Sequence, residues 1–125
     1  MSISGNLRQQ IILAANARCE YCQTSSRVTG TPLVMEHISP KSLGGGDEPI
    51  NLAAACYRCN EFKGAKTHAR DPESGQLVAL FNPRSQRWAD NFAWRNGSTH
   101  IIGKTAVGRA TVIALRLNND QLVEA

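Results

Sequence analysis

Four cysteines fall in two pairs, Cys19/Cys22 and Cys56/Cys59, each with the CxxC spacing. Two sulfurs so spaced can reach one ion, and two such pairs supply the four ligands of a tetrahedral site. In a reducing compartment this pattern reads as bound metal before it reads as disulfides. A thioredoxin-like redox pair would need a CxxC opening a helix in a βαβ context, and no such alternation of elements is visible. The pairs therefore predict a structural zinc. Between them lie Glu36-His37-Ile38-Ser39-Pro40, then Gly44-Gly45-Gly46-Asp47, then Asn51-Leu52. Asn60 follows the last cysteine directly, and Lys63 comes shortly after it.

This succession resembles the HNH (His-Asn-His, ββα-metal) nuclease family. The family pattern is an acidic residue or His followed by His, a glycine-containing loop, Asn-Leu, then CxxC followed by His or Asn and a Lys. The resemblance spans about residues 19–66. The later stretch, with Leu80-Phe81-Asn82-Pro83-Arg84 and Trp88, is similar to small bacterial HNH proteins. The resemblance implies a metal-dependent DNA endonuclease. It implies that His37 is the general base and that Asn51 hydrogen-bonds the hairpin backbone and holds His37 in place. Glu36 and Asn60 are then the ligands of a catalytic divalent ion; the family more often has Asp where this chain has Glu36.

Physical chemistry accommodates those roles. Phosphodiester hydrolysis needs an activated water and stabilisation of extra negative charge. A histidine ring is able to take a proton near neutral pH. A carboxylate and an amide oxygen are hard donors, suited to Mg²⁺ or Mn²⁺ rather than to zinc. Lys63 and Lys66 are spaced to share one helix face, which predicts contacts to DNA phosphates, with Arg58 and Arg84 as weaker candidates. His68, outside the pattern, is read as a loop residue with an auxiliary role as the alternative, and His100 as structural. Trp88, Phe92 and Trp94 are read as core aromatics with base stacking as the alternative. Arg84, Arg87, Arg95 and Lys104 form either a basic face or scattered surface charge.

The elements that must position these groups follow from periodicity. Leu7, Ile11, Ile12 and Ala15 recur at helical spacing and predict a helix over 6–17, with Ser4 or Asn6 as its cap. The stretch from Thr24 to Pro32 is rich in loop residues. Leu33-Val34-Met35 predicts a strand ending at Glu36 and His37, and Leu52 to Ala55 a second. The residues after Cys59, through Lys66, predict a helix of about two turns. Farther on, 76–81 predicts a strand. Phe92-Ala93-Trp94 and His100-Ile101-Ile102 flank Asn96-Gly97, a hairpin signal. Thr105 caps a helix expected over 106–117, a reading that Gly108 weakens. Residues 121–125 read as a frayed end.

The fold class expected is α+β: a small ββα-metal core with a four-cysteine zinc site, plus a C-terminal β-hairpin and helix. The 125 residues suffice for a single domain, and 42% apolar content suits a folded one. Fourteen basic residues against ten acidic ones give a formal charge of +4, compatible with a phosphate-rich partner. No apolar run approaches the roughly 20 residues of a membrane helix. The opening residues resemble neither a signal nor a transit peptide, so a cytoplasmic protein is expected. Two other readings remain: a non-catalytic zinc-stabilised nucleic-acid-binding module, and a toxin or restriction component directed by a partner.

Overall fold

The computed structural model describes residues 3–95, 97 and 99–118. Helix α1, Gly5–Ala14, starts where the Ser4 hydroxyl accepts a hydrogen bond from the Leu7 N–H at 3.1 Å. It stops short of the expected residue 17 because Asn16 and Ala17 turn left-handed, at φ 60° and 57°. The Ala17 N–H then closes on the Ile12 carbonyl at 2.9 Å. A short helical turn, α2 (Ser26–Thr29), occupies part of the expected loop.

Strands β1 (Val34–His37) and β2 (Leu52–Ala55) pair antiparallel, with Val34 opposite Ala55 and His37 opposite Leu52. All of β2 is buried, which explains its unbroken apolar run. Helix α3, Tyr57–Lys63, begins earlier than expected, because Cys56 caps it, and ends at Gly64 before reaching Lys66. Strands β1 and β2 followed by α3 make the expected ββα unit.

Beyond it, β3 (His68–Arg70) pairs antiparallel with β4 (Leu77–Ala79). The strand expected over 76–81 is therefore shorter and has an unforeseen partner. A turn of helix, α4 (Trp88–Asn91), leads into the expected hairpin of β5 (Phe92–Arg95) and β6 (His100–Gly103). Of its turn signal, Asn96 lies outside the described residues, and Gly97 has φ 65°. Helix α5, Ala106–Ala114, is capped by the Thr105 hydroxyl, which accepts from the Gly108 N–H at 3.0 Å. Gly108 sits in this helix for a steric reason: a Cβ there would lie 2.0 Å from the Asn91 carbonyl oxygen. The helix ends three residues early, where Arg116 turns to φ 50°. The tail expected to fray, 121–125, is outside the described residues.

One cluster of buried side chains runs through both halves of the chain, from Ile11, Tyr21 and Leu52 to Phe81, Phe92, Leu115 and Leu117. Phe81 stands edge-on to Tyr21 and to Phe92, at centroid distances of 6.3 and 5.2 Å. The Trp88 indole N–H donates to the Tyr21 carbonyl at 2.7 Å. The later elements thus brace the cysteine-bearing ones. Among the described residues, no helix is long and apolar enough to cross a membrane.

Candidate active site and metal centre

The two CxxC segments fold alike. The Cys19 sulfur accepts from the Cys22 N–H at 3.5 Å, and the Cys56 sulfur accepts from the Cys59 N–H at 3.4 Å. Gln23, at φ 68°, turns the first segment back so that the Cys19 N–H donates to the Thr24 carbonyl. The second segment opens α3, whose N-terminus favours a thiolate. All four sulfurs are unbridged and buried, and lie within 4.8 Å of one another. A zinc–sulfur bond of about 2.3 Å makes a tetrahedron with edges of about 3.8 Å. The sulfurs of Cys22 and Cys56 are separated by 3.8 Å.

Four sulfurs packed this closely favour a cation between them. Hydrogen bonds from Cys19, Cys22 and Cys59 pull the Cys56 thiol far below its ordinary range. Contact with Cys19 lowers Cys22 as well. Burial pushes Cys19 well up, and contact with Cys19 does the same to Cys59. Sulfurs this close cannot all ionise unless a positive ion offsets the repulsion, and the donor set fits zinc.

The β1–β2 hairpin leads away from this centre to His37. Asn51 ties its open end: Oδ1 accepts from the Ser39 N–H at 2.8 Å, and Nδ2 donates to the carbonyls of Ser39 and Gly46 at 3.0 and 2.8 Å. The loop between them folds tightly, since a Cβ on Gly45 would lie 1.8 Å from the Ser39 carbonyl oxygen. His37 keeps 22% of its side chain exposed, and its Nε2 lies 2.7 Å from Asp47 Oδ1.

Glu36 points the other way, as adjacent strand residues must. It is 1% exposed. One carboxylate oxygen lies 2.6 Å from Lys63 Nζ, and the other accepts the Tyr21 O–H at 2.7 Å. Burial, with the Glu36 charge adding to it, pushes the Tyr21 phenol well up, so it stays a donor. Lys63 is equally buried, and its ammonium also donates to the carbonyls of His37 and Ile38 at 3.2 and 3.1 Å.

Residues 19–66 match the family model for HNH endonuclease. That segment is similar to the HNH endonuclease family. The CRISPR-associated endonuclease Cas9 of Corynebacterium diphtheriae is 29% identical over 107 residues, which is 82% of this chain and 10% of that protein. The chain thus spans about a tenth of the length of that curated relative. No solved structure matches.

Against the HNH pattern, the expected residues divide. The four cysteines meet, Asn51 ties the hairpin, and His37 stands at its open end. No hydrogen bond to the Asn60 side chain is seen among the described residues. Lys63 departs from expectation. It is not a surface cation available to DNA, because all three ammonium hydrogens have acceptors inside the protein. Its expected companion Lys66 lies beyond the end of α3, exposed, with Nζ donating to the Phe62 carbonyl at 2.8 Å. Glu36 is likewise unlike an ion-binding carboxylate, with Lys63 neutralising it and Tyr21 capping it; of the expected pair, only Asn60 has a side chain without such partners among the described residues. Arg84 is taken by Glu20, with which it forms an ion pair.

Arg58 stacks over the Tyr57 ring, and its buried Nε has no hydrogen-bond partner among the described residues. His68 is exposed beside Thr67, while His100 contacts Thr99. Phe92 is core, Trp88 packs on the core, and Trp94 is 43% exposed. Arg87, Arg95 and Lys104 are exposed.

Three residues escaped the sequence reading. Tyr21 and Glu20 carry no motif of their own. Glu20 joins the first cysteine segment to β2: its N–H donates to the Ala54 carbonyl, and its Oε2 accepts the Ala54 N–H. Asp47 had a visible signal, an acidic residue directly after the triple glycine.

Proposed function

We propose that this chain is a DNA endonuclease that hydrolyses phosphodiester bonds, with His37 as general base. The observation that carries the reading is the partly exposed His37 ring, hydrogen-bonded to Asp47 at the open end of a hairpin tied by Asn51. An ordinary surface histidine has no need of that scaffold. The half-buried Arg58 guanidinium and the exposed Lys66 are the cations assigned to DNA phosphates. Mg²⁺ or Mn²⁺ is the ion proposed, since it supplies a Lewis acid for the phosphate when bound. Asn60 offers one oxygen to it. No step is assigned to an ion at Glu36, whose charge Lys63 already neutralises.

That neutralised carboxylate favours a second reading, a zinc-stabilised module that binds nucleic acid without cutting it. Supercoiled plasmid incubated with zinc-loaded protein and a series of Mg²⁺, Mn²⁺, Ni²⁺ or EDTA separates the two. Nicking with Mg²⁺ or Mn²⁺ and none with EDTA supports the endonuclease. A mobility shift with no cleavage under any metal supports the binding module.

A further inference from the structure

Asp47 is ten positions from His37 in the chain, yet its carboxylate is delivered to the ring by a fixed backbone. The Gly45 N–H donates to the Pro40 carbonyl at 3.0 Å, and Asn51 holds the Gly46 carbonyl. Gly46 immediately precedes Asp47, so its anchoring sets where the carboxylate starts. Lys41 Nζ lies 3.6 Å from the same Oδ1 and biases the group toward its ionised form. The hydrogen bond from His37 holds the Asp47 carboxyl below the ordinary carboxylate range. An ionised carboxylate only accepts, so the proton shared between the two belongs to Nε2.

We propose that Asp47 is a positioning residue: by accepting from Nε2–H it fixes the His37 tautomer and orientation, leaving the Nδ1 lone pair as the base. The proposal rests on the reading of His37 as general base. In the step it serves, Nδ1 takes one proton from water as the water oxygen bonds to phosphorus. The P–O ester bond breaks, and the departing oxygen keeps the electron pair and takes a proton from solvent. The imidazolium formed carries protons on both nitrogens, faces the Asp47 carboxylate, and returns its extra proton to solvent. A carboxylate on the far nitrogen plays the corresponding part for other catalytic histidines.

The test is a long-range ¹H–¹⁵N spectrum of zinc-loaded, ¹⁵N-histidine-labelled protein near pH 8, read beside plasmid nicking. The expected His37 pattern is protonated Nε2 and bare Nδ1. In Asp47→Asn the amide is able to donate as well as accept, so the pattern moves toward protonated Nδ1. Its kcat for nicking falls about 10²-fold, while KM for DNA does not rise. Asp47→Glu restores the acceptor and recovers part of both. A wild-type spectrum with protonated Nδ1 overturns the proposal whatever the variants do. So does an Asp47→Asn protein that nicks at the wild-type rate while His37→Ala is inactive. If His37→Ala itself nicks normally, the general-base reading fails first and takes this inference with it.

Discussion

Replacing Lys63 by Met keeps the aliphatic stem of a buried side chain and removes its charge. In the native fold that ammonium meets Glu36 Oε1 at 2.6 Å and the carbonyls of His37 and Ile38 at 3.2 and 3.1 Å. The variant leaves a 1%-exposed carboxylate with only the Tyr21 hydroxyl as partner. Breaking a buried ion pair from one side costs about 3–5 kcal/mol. A chain of this size then melts roughly 10–20 °C lower. The Glu36→Gln/Lys63→Met double variant keeps an oxygen for Tyr21 and removes the stranded charge, so it regains about half of that loss. Urea titrations of the wild type, both single variants and the double variant, followed by circular dichroism in zinc-containing buffer, give the coupling directly. A coupling of about 2 kcal/mol or more is expected. The reasoning is refuted if Lys63→Met costs under about 0.5 kcal/mol, the range of ordinary surface substitutions, and instead weakens DNA binding.

Zinc removal should unfold the cysteine-bearing half. Structural zinc contributes about 10–16 kcal/mol in small domains, against a typical net stability of about 5–15 kcal/mol; chelation or Cys56→Ser should abolish the cooperative melt, and an intact melt at zero zinc content contradicts this. Asp71, wholly buried, receives two hydrogen bonds from Arg109 at 2.8 and 2.9 Å, and this contact holds its carboxyl well below the ordinary range. Its contribution is therefore complete above about pH 4, the unfolded value, and is lost as the pH falls below that. Asp71→Asn should be less stable at neutral pH and show a shallower stability loss between about pH 4 and 2; identical acid slopes in urea titrations would count against the pairing.

The parts of the site legible in the sequence are those whose chemistry resides in spacing. Two CxxC pairs specify a four-sulfur site wherever the intervening chain runs; the hairpin-tying role of Asn51 comes instead from the resemblance to the HNH pattern. Lys63 was not legible. The Lys63/Lys66 spacing implies one shared helix face only if the helix continues, and Gly64, at φ 52°, ends it between them. A buried lysine is also uncommon enough that composition argues against it. Strand β3 was missed because three residues with exposed flanks hold no readable period. The ends of α1 and α5 were missed because Asn16, Ala17 and Arg116 supply left-handed turns normally left to glycine. Gly108 shows the converse: a poor helix former required by the close passage of Asn91.

The most direct measurement is the nicking rate of His37→Ala beside that of the wild type, in Mg²⁺ or Mn²⁺, with zinc content and melting curve matched. General-base catalysis contributes about 10²–10⁴-fold, so the variant should be slower by at least about 10²-fold while still binding DNA. Equal rates from two equally folded proteins would mean that the imidazole takes no proton in the reaction.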